Sequence, residues 1–237
     1  MPFSSETREN PLLAGLLLDA GVQCPPHLEA VAMPLGEVLA EPNQPMRYAY
    51  FPTTAIVSLL NVMEDGSTTE VAVVGYEGMV GISLFMGGES SSSRAVVHSA
   101  GHGFRMKAKI LKEGFARGGR MQHLLLRYTQ ALLTQMAQTA VCNRHHTVDQ
   151  QLCRWLLLNL DRLHTNKLEM TQELIAHLMG VRREGITFAA GKLQKAGLIE
   201  YHRGHITVFD RPGLEAGACE CYAAVRTEYD RLLSSPV

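Results

Sequence analysis

The sequence predicts an α+β chain: an N-terminal antiparallel β-roll of double-stranded jelly-roll type, a long helix, and a C-terminal winged helix-turn-helix. Three observations carry this. Between Pro34 and Ala108, short apolar runs such as "YAYF", "AIVSLLNVM", "TEVAVVG" and "RAVVHS" are separated by Gly, Pro, Asn and Asp, the pattern of many short strands. Residues 121–142 contain neither Gly nor Pro and repeat their apolar side chains at spacings of three and four, the period of a helix. In "LIAHLMGVRREGITFAAGKLQKAGLIEYHRGHITV", two short helical stripes (Leu174, Ile175, Leu178 and Ile186, Ala189, Ala190, Leu193) flank a Gly-Val-Arg-Arg-Glu turn and lead into a basic hairpin.

Each element follows from local chemistry. Residues 10–33 read as amphipathic helix, and Pro25-Pro26 breaks that pattern into two short helices. "MEDGSTTEVAVV" reads as a hairpin with Asp65-Gly66 at its turn. So many short strands protect their edges by closing into a roll. In the long helix, Leu125, Tyr128, Leu132, Gln135, Thr139 and Cys142 form a heptad seam with polar members. That seam is assigned to a two-fold helix pair joining two copies of the chain, although a helix laid on the strand block gives the same spacing. "NRHHTVD" marks a break, and "QQLCRWLLLNLDRL" opens the next apolar helix. In the reader, Gly180 supplies positive φ at the turn between the two stripes, and Ala176 lets the two helices approach. Leu214, Ala218, Cys221, Tyr222, Val225, Tyr229 and Leu232 describe one face of a closing helix. The chain of 237 residues therefore partitions as 1–120 for the roll with its N-terminal helices, 121–145 for the dimerisation helix and hinge, and 146–237 for the winged reader.

Charge narrows the partner. Lys and Arg total 22 against 23 for Asp and Glu, so any footprint for a polyanion must be local, and Lys167–His205 is locally basic. The N-terminus lacks a basic leader region, and "PLLAGLLLDAG" falls short of the roughly 20 apolar residues a membrane span needs. A cytoplasmic protein without a membrane partner is expected. The five cysteines (24, 142, 153, 219, 221) are odd in number and form no C-x-x-C pair, so reduced thiols are expected rather than a disulfide framework.

Together, "LGEVLAEPNQPMRYAYFPTTAIVSLL", "GYEGMVGISLF", "NRHHTVDQQLCRWLLLNL" and the reader stretch resemble the Crp/Fnr superfamily of bacterial transcription regulators, across nearly the whole chain. The resemblance implies a cyclic-nucleotide-binding-like roll, a homodimer, and double-stranded DNA and RNA polymerase as partners. It places Arg183 and Glu184 at base edges, with Arg182, Thr187, Phe188 and Lys192 on the same helix, Thr171 at a phosphate and Arg203 at the wing tip. The chemistry stands without the family: a guanidinium pairs with guanine O6 and N7, and a carboxylate accepts from cytosine N4. Two departures matter. Phe188 replaces a second Arg and can cover a thymine methyl instead, or fold back onto its own domain; Gly185 replaces a Ser or Thr.

In the roll, the resemblance places an effector at Gly81, Ile82, Arg94 and Ala95. Arg94 suits a phosphate, but Ile82 stands where a ribose-binding Glu would fall, which argues against a cyclic nucleotide and leaves the small-molecule or protein effector unnamed. No cofactor or metal is assigned. His145, His146 and Cys142 suggest a haem or metal ligand set, but adjacent histidines diverge on a helix, and Cys219 and Cys221 lack further partners at zinc-like spacing. A redox, haem or metal sensor of the same fold is the alternative reading. A cupin-like metalloenzyme would need a His pattern that His98 and His102 do not supply, so no enzyme is expected.

Overall fold

The computed structural model describes residues 7, 9–19, 27–163 and 165–233. Cys24 and Pro25-Pro26 lie outside them. The chain divides into two compact units. One combines the described residues up to Leu59 with Val73–Leu133 and those from Glu228 on; the other combines Leu60–Ala72 with Thr134–Thr227.

In the first unit, Asn10 starts helix α1 (Pro11–Asp19). Its Oδ1 accepts from the Leu13 N–H at 2.8 Å, while its Nδ2 donates to the carbonyls of Pro52 and Gly78. Strands β1 (Leu28–Met33), β2 (Val38–Ala40), β3 (Tyr48–Pro52), β4 (Ile56–Val62), β5 (Thr68–Val74), β6 (Arg94–Ser99) and β7 (Gly101–Lys107) form two sheets, ordered β1-β7-β3 and β2-β6-β4-β5. Strand β7 pairs antiparallel with β1 on one side and β3 on the other. Residues 28–33, expected as a second helix, are therefore strand. Their backbone is paired residue by residue from Leu28↔Met106 to Met33↔Gly101, and that long-range ladder overrides local helix pattern. The hairpin turn is as expected: the Met63 N–H donates to the Ser67 carbonyl, and Asp65 Oδ1 accepts from the Ser67 N–H at 2.9 Å.

Helix α2 (Ala108–Ala116), which the sequence pattern did not reveal, leads to α3 (Gly119–His145). Tyr128 is fully buried and its hydroxyl donates to the Met79 carbonyl at 2.8 Å. No helix among the described residues is long and apolar enough to cross a membrane.

The second unit takes in the C-terminal part of α3, from Thr134 on. Thr147 caps α4 (Val148–Leu160) through a reciprocal box with Gln150. There follow β8 (Lys167–Glu169), α5 (Gln172–Met179), α6 (Arg183–Lys195), β9 (Ile199–His202), β10 (His205–Val208), α7 (Arg211–Gly217) and α8 (Glu220–Leu233), with β8-β10-β9 as an antiparallel wing sheet. The predicted closing helix is two helices, because Ala218 is extended and interrupts the stripe. The tip of the β4–β5 hairpin belongs to this unit. Trp155 Nε1–H donates to Glu70 Oε1 at 2.9 Å in a buried position, and the Thr68 hydroxyl donates to the His177 carbonyl.

Candidate nucleic-acid interface

Helix α5 is set by its two ends. Thr171 Oγ1 accepts from the Leu174 N–H at 3.2 Å, and Gly180 closes the helix at φ +67°. A side chain at Gly180 would also collide with Thr69, whose Oγ1 lies 2.6 Å from the place a Cβ would occupy. The chain then re-enters helix at Arg183 after an extended Arg182. Ile186, Ala189, Ala190 and Leu193 turn inward and are buried, as their spacing predicts.

The opposite face of α6 is a shallow groove lined by Arg183, Glu184, Thr187, Phe188, Gly191, Lys192 and Lys195. Arg183 and Glu184 are exposed, and among the described residues neither makes an ion pair. Phe188 is 67% exposed, so it does not fold back onto its own domain. Lys192 lies 4.4 Å over the Phe188 ring and 2.5 Å from Asp149 of α4. The Thr187 hydroxyl donates to Gln172 Oε1 at 2.6 Å, which ties α6 to the first turn of α5. Gly191 and Lys195 are not singled out from sequence; continuing the 184, 188 periodicity through two further turns finds both.

Arg203 and Gly204 turn the wing from β9 to β10 with φ of 48° and 85°, the two positive angles of a type I′ turn. That turn favours Asn or Gly at its first central position; here a guanidinium occupies it, exposed at the tip. An arginine in this region costs about 1 kcal/mol, which is repaid if the site requires a cation there.

Residues 150–216, from α4 to α7, match the family model of the Crp-like helix-turn-helix domain. Those residues are similar to a Crp-like helix-turn-helix. The chain is 22% identical over 185 residues to the global nitrogen regulator of Synechococcus elongatus, covering 74% of this chain and 83% of that one. Its fold is similar to that of FixK2 from Bradyrhizobium japonicum, with a TM-score of 0.71 at 17% identity over 81% of this chain and 98% of the other. A CRP-family transcriptional regulator from Thermus thermophilus gives 0.65 at 16% identity over 80% and 96%. The matched domain thus sits in a chain whose fold is similar to those structures: antiparallel sheets, a long helix, and a helix-turn-helix with its wing.

Outside the Crp-like domain the structure redistributes the sequence-predicted residues. Arg94 Nε donates to Glu41 Oε2 at 2.8 Å, so the expected phosphate ligand already has a carboxylate. Ala95 is buried, Ile82 half-buried, and Gly81 starts a short 3-10 turn at φ 113°. His98 is buried against Ser58 and His102 is exposed. On α3, the expected seam residues Leu125, Tyr128, Leu132, Gln135 and Thr139 are all buried within the chain itself, and Arg154 donates to the Thr139 hydroxyl. They are not available to a second copy. The large apolar side chains that the same helix exposes are Leu126, Leu133 and Val141. A helix with three-four periodicity on two adjacent faces does not reveal from sequence which one is inward.

The structure also supplies the partners that spacing did not. Cys142, His146, Cys219 and Cys221 place their ligand atoms within 4.8 Å of one another. Burial pushes the Cys142 thiol up to about 12 and raises that of Cys221.

Proposed function

We propose that the chain is a DNA-binding transcription regulator that acts as a homodimer on a pseudo-palindromic duplex under control of a signal received by the roll. One observation carries the DNA reading: the outer face of α6 presents Arg183, Glu184 and Phe188 to solvent, the two charged groups without ion-pair partners among the described residues, on a helix whose other face is fixed in the core. Base recognition needs such groups, unspent and held in place. Arg183 and Glu184 read base edges, Phe188 covers a thymine methyl, and Arg182, Lys192 and Lys195 sit beside the backbone. Thr171 and Arg203 anchor phosphates from either flank.

The dimer forms through the exposed stripe of α3. Leu126, Gln130, Leu133, Ala137 and Ala140 follow one another at spacings of four and three, which is a coiled-coil seam on the helix face beside the buried one. Paired readers then meet half-sites about 34–36 Å apart. The β4–β5 hairpin, whose tip touches α4 and α5 through Glu70 and Thr68, is the route by which a change in the roll alters the reader. The effector is a small molecule or protein rather than a cyclic nucleotide, since Ile82 offers a ribose no acceptor and Arg94 is held by Glu41. RNA polymerase is the expected downstream partner, and the cytoplasm follows from a DNA target.

Selection from randomised duplex DNA with wild type and Arg183→Ala tests the reading. Wild type should enrich an inverted repeat and the variant should lose preference at one position in each half. Enrichment of no sequence by wild type, or an unchanged motif in the variant, overturns it. Sedimentation of Leu133→Glu should give a folded monomer, whereas a wild-type monomer at micromolar concentration sinks the dimer.

A further inference from the structure

We propose that Cys142, His146, Cys219 and Cys221 form a closed tetrahedral site for a thiophilic d10 cation, zinc, that pins the end of the long helix to the α7–α8 junction. The geometry is the first argument. Cys142 Sγ lies 3.5 Å from Cys219 Sγ, and Cys221 Sγ lies 3.6 Å from His146 Nδ1. A tetrahedral zinc with its usual bond lengths has sulfur–sulfur edges of roughly 3.8 Å and sulfur–nitrogen edges of roughly 3.6 Å. These separations are far beyond a disulfide bond and too short to enclose an iron–sulfur cluster, so the set suits one ion.

The surroundings supply the second argument. His146 turns Nδ1 toward the cluster and its other nitrogen, Nε2, lies 3.3 Å from Glu220 Oε2. A carboxylate on the far ring nitrogen is how zinc-bound imidazoles are oriented and made more basic. Gln151 Nε2 donates to the His146 carbonyl at 2.8 Å and to the Cys142 carbonyl at 3.4 Å, which fixes the chain segment carrying two of the four ligands. Beneath it, Arg154 is 5% exposed and its Nε has no hydrogen-bond partner. Charge explains that arrangement. Zinc binding displaces three thiol protons and leaves three thiolates, one neutral imidazole and a dication, a net charge of −1. The buried guanidinium of Arg154 offsets it. With neutral thiols, the same guanidinium stands near no balancing charge in the cluster.

All four ligand positions come from the chain, so the site is structural and has no open place for a substrate. Its ligands stand on the last turn of α3, on the hinge, and on both sides of the start of α8. The ion therefore fixes the base of the Crp-like domain, and its loss, or oxidation of the thiolates, loosens that base.

The full-length chain, purified without chelator and under anaerobic conditions, should contain one zinc per chain by elemental mass spectrometry. Cobalt substitution should give the intense visible bands and thiolate charge transfer of a tetrahedral thiolate site. Cys142→Ser, Cys219→Ser and Cys221→Ser should each lose the metal or change the cobalt spectrum. Cys153→Ser, which removes a buried thiol of the same unit outside the four, should keep both. Glu220→Ala should retain the cobalt spectrum with about 10–100-fold weaker affinity. A chain that binds neither zinc nor cobalt, a Cys142–Cys219 disulfide in the anaerobic protein, or metal loss in Cys153→Ser equal to that in the ligand variants overturns the site. None of these readouts depends on DNA binding.

Discussion

On the reading helix, Arg183 and Glu184 stand exposed and, among the described residues, without ion-pair partners, whereas in the roll the guanidinium of Arg94 is held by Glu41 at 2.8 Å. The two regions contain the same kind of side chain in opposite states. In the reader, backbone geometry is set by Thr171, Gly180 and the buried stripe of α6, and Arg183 and Glu184 remain available for a partner. In the roll, Arg94 and Glu41 satisfy each other, and an effector at Arg94 would have to displace that contact. A face that is rigid in backbone and unspent in hydrogen bonds is ready to bind; a face already paired must exchange one contact for another.

The largest expected effect lies where a roll segment and the reader share a contact. Trp155→Phe keeps an aromatic ring but removes the N–H given to Glu70, and should destabilise the second unit by about 1.5–3 kcal/mol. Urea denaturation measures it; an unmoved midpoint would show that the hairpin tip is not anchored there. Next, Arg183→Ala should weaken the specific site by about 1–3 kcal/mol without changing stability. A titration in which specific and random duplexes lose affinity equally would reduce Arg183 to a phosphate contact and erase the reader's side of the contrast.

Arg203→Asn separates charge from conformation. Asn tolerates positive φ, so the wing should hold or gain stability while the salt dependence of binding falls by about one unit per chain. An unchanged slope would mean that the wing does not reach the backbone. The smallest effect is expected for Arg94→Ala. The side chains of Arg94 and Glu41 are 37% and 35% exposed, and solvent screening limits such a pair to about 0–1 kcal/mol. DNA affinity should not move. If it does, Arg94 serves signalling rather than the local fold.

The reader was legible in sequence because each of its signals is local: an N-cap at Thr171, a left-handed residue at Gly180, an apolar stripe with a period of about 3.6. Features fixed by residues distant in the chain were not. Strand β1 looks helical until β7 pairs with it. The inward face of α3 is chosen by Met79 and Gly78, which receive Tyr128, and nothing within α3 itself records that choice. Cys142 and Cys219 are 77 positions apart, so their approach to 3.5 Å depends on how α3, α7 and α8 assemble. Phe188 was legible in identity but not in direction, since an aromatic side chain on a helix can turn either way.

That direction has a thermodynamic consequence. A phenyl ring with two-thirds of its surface in water is dehydrated when a base edge covers it. Association should therefore carry a negative heat-capacity change beyond that of the charged contacts, and Phe188→Arg should make it smaller. Calorimetry over a range of temperatures would separate this hydrophobic share of recognition from the counterion release that dominates most protein–DNA encounters. The affinity it contributes would persist in concentrated salt, where the phosphate contacts weaken.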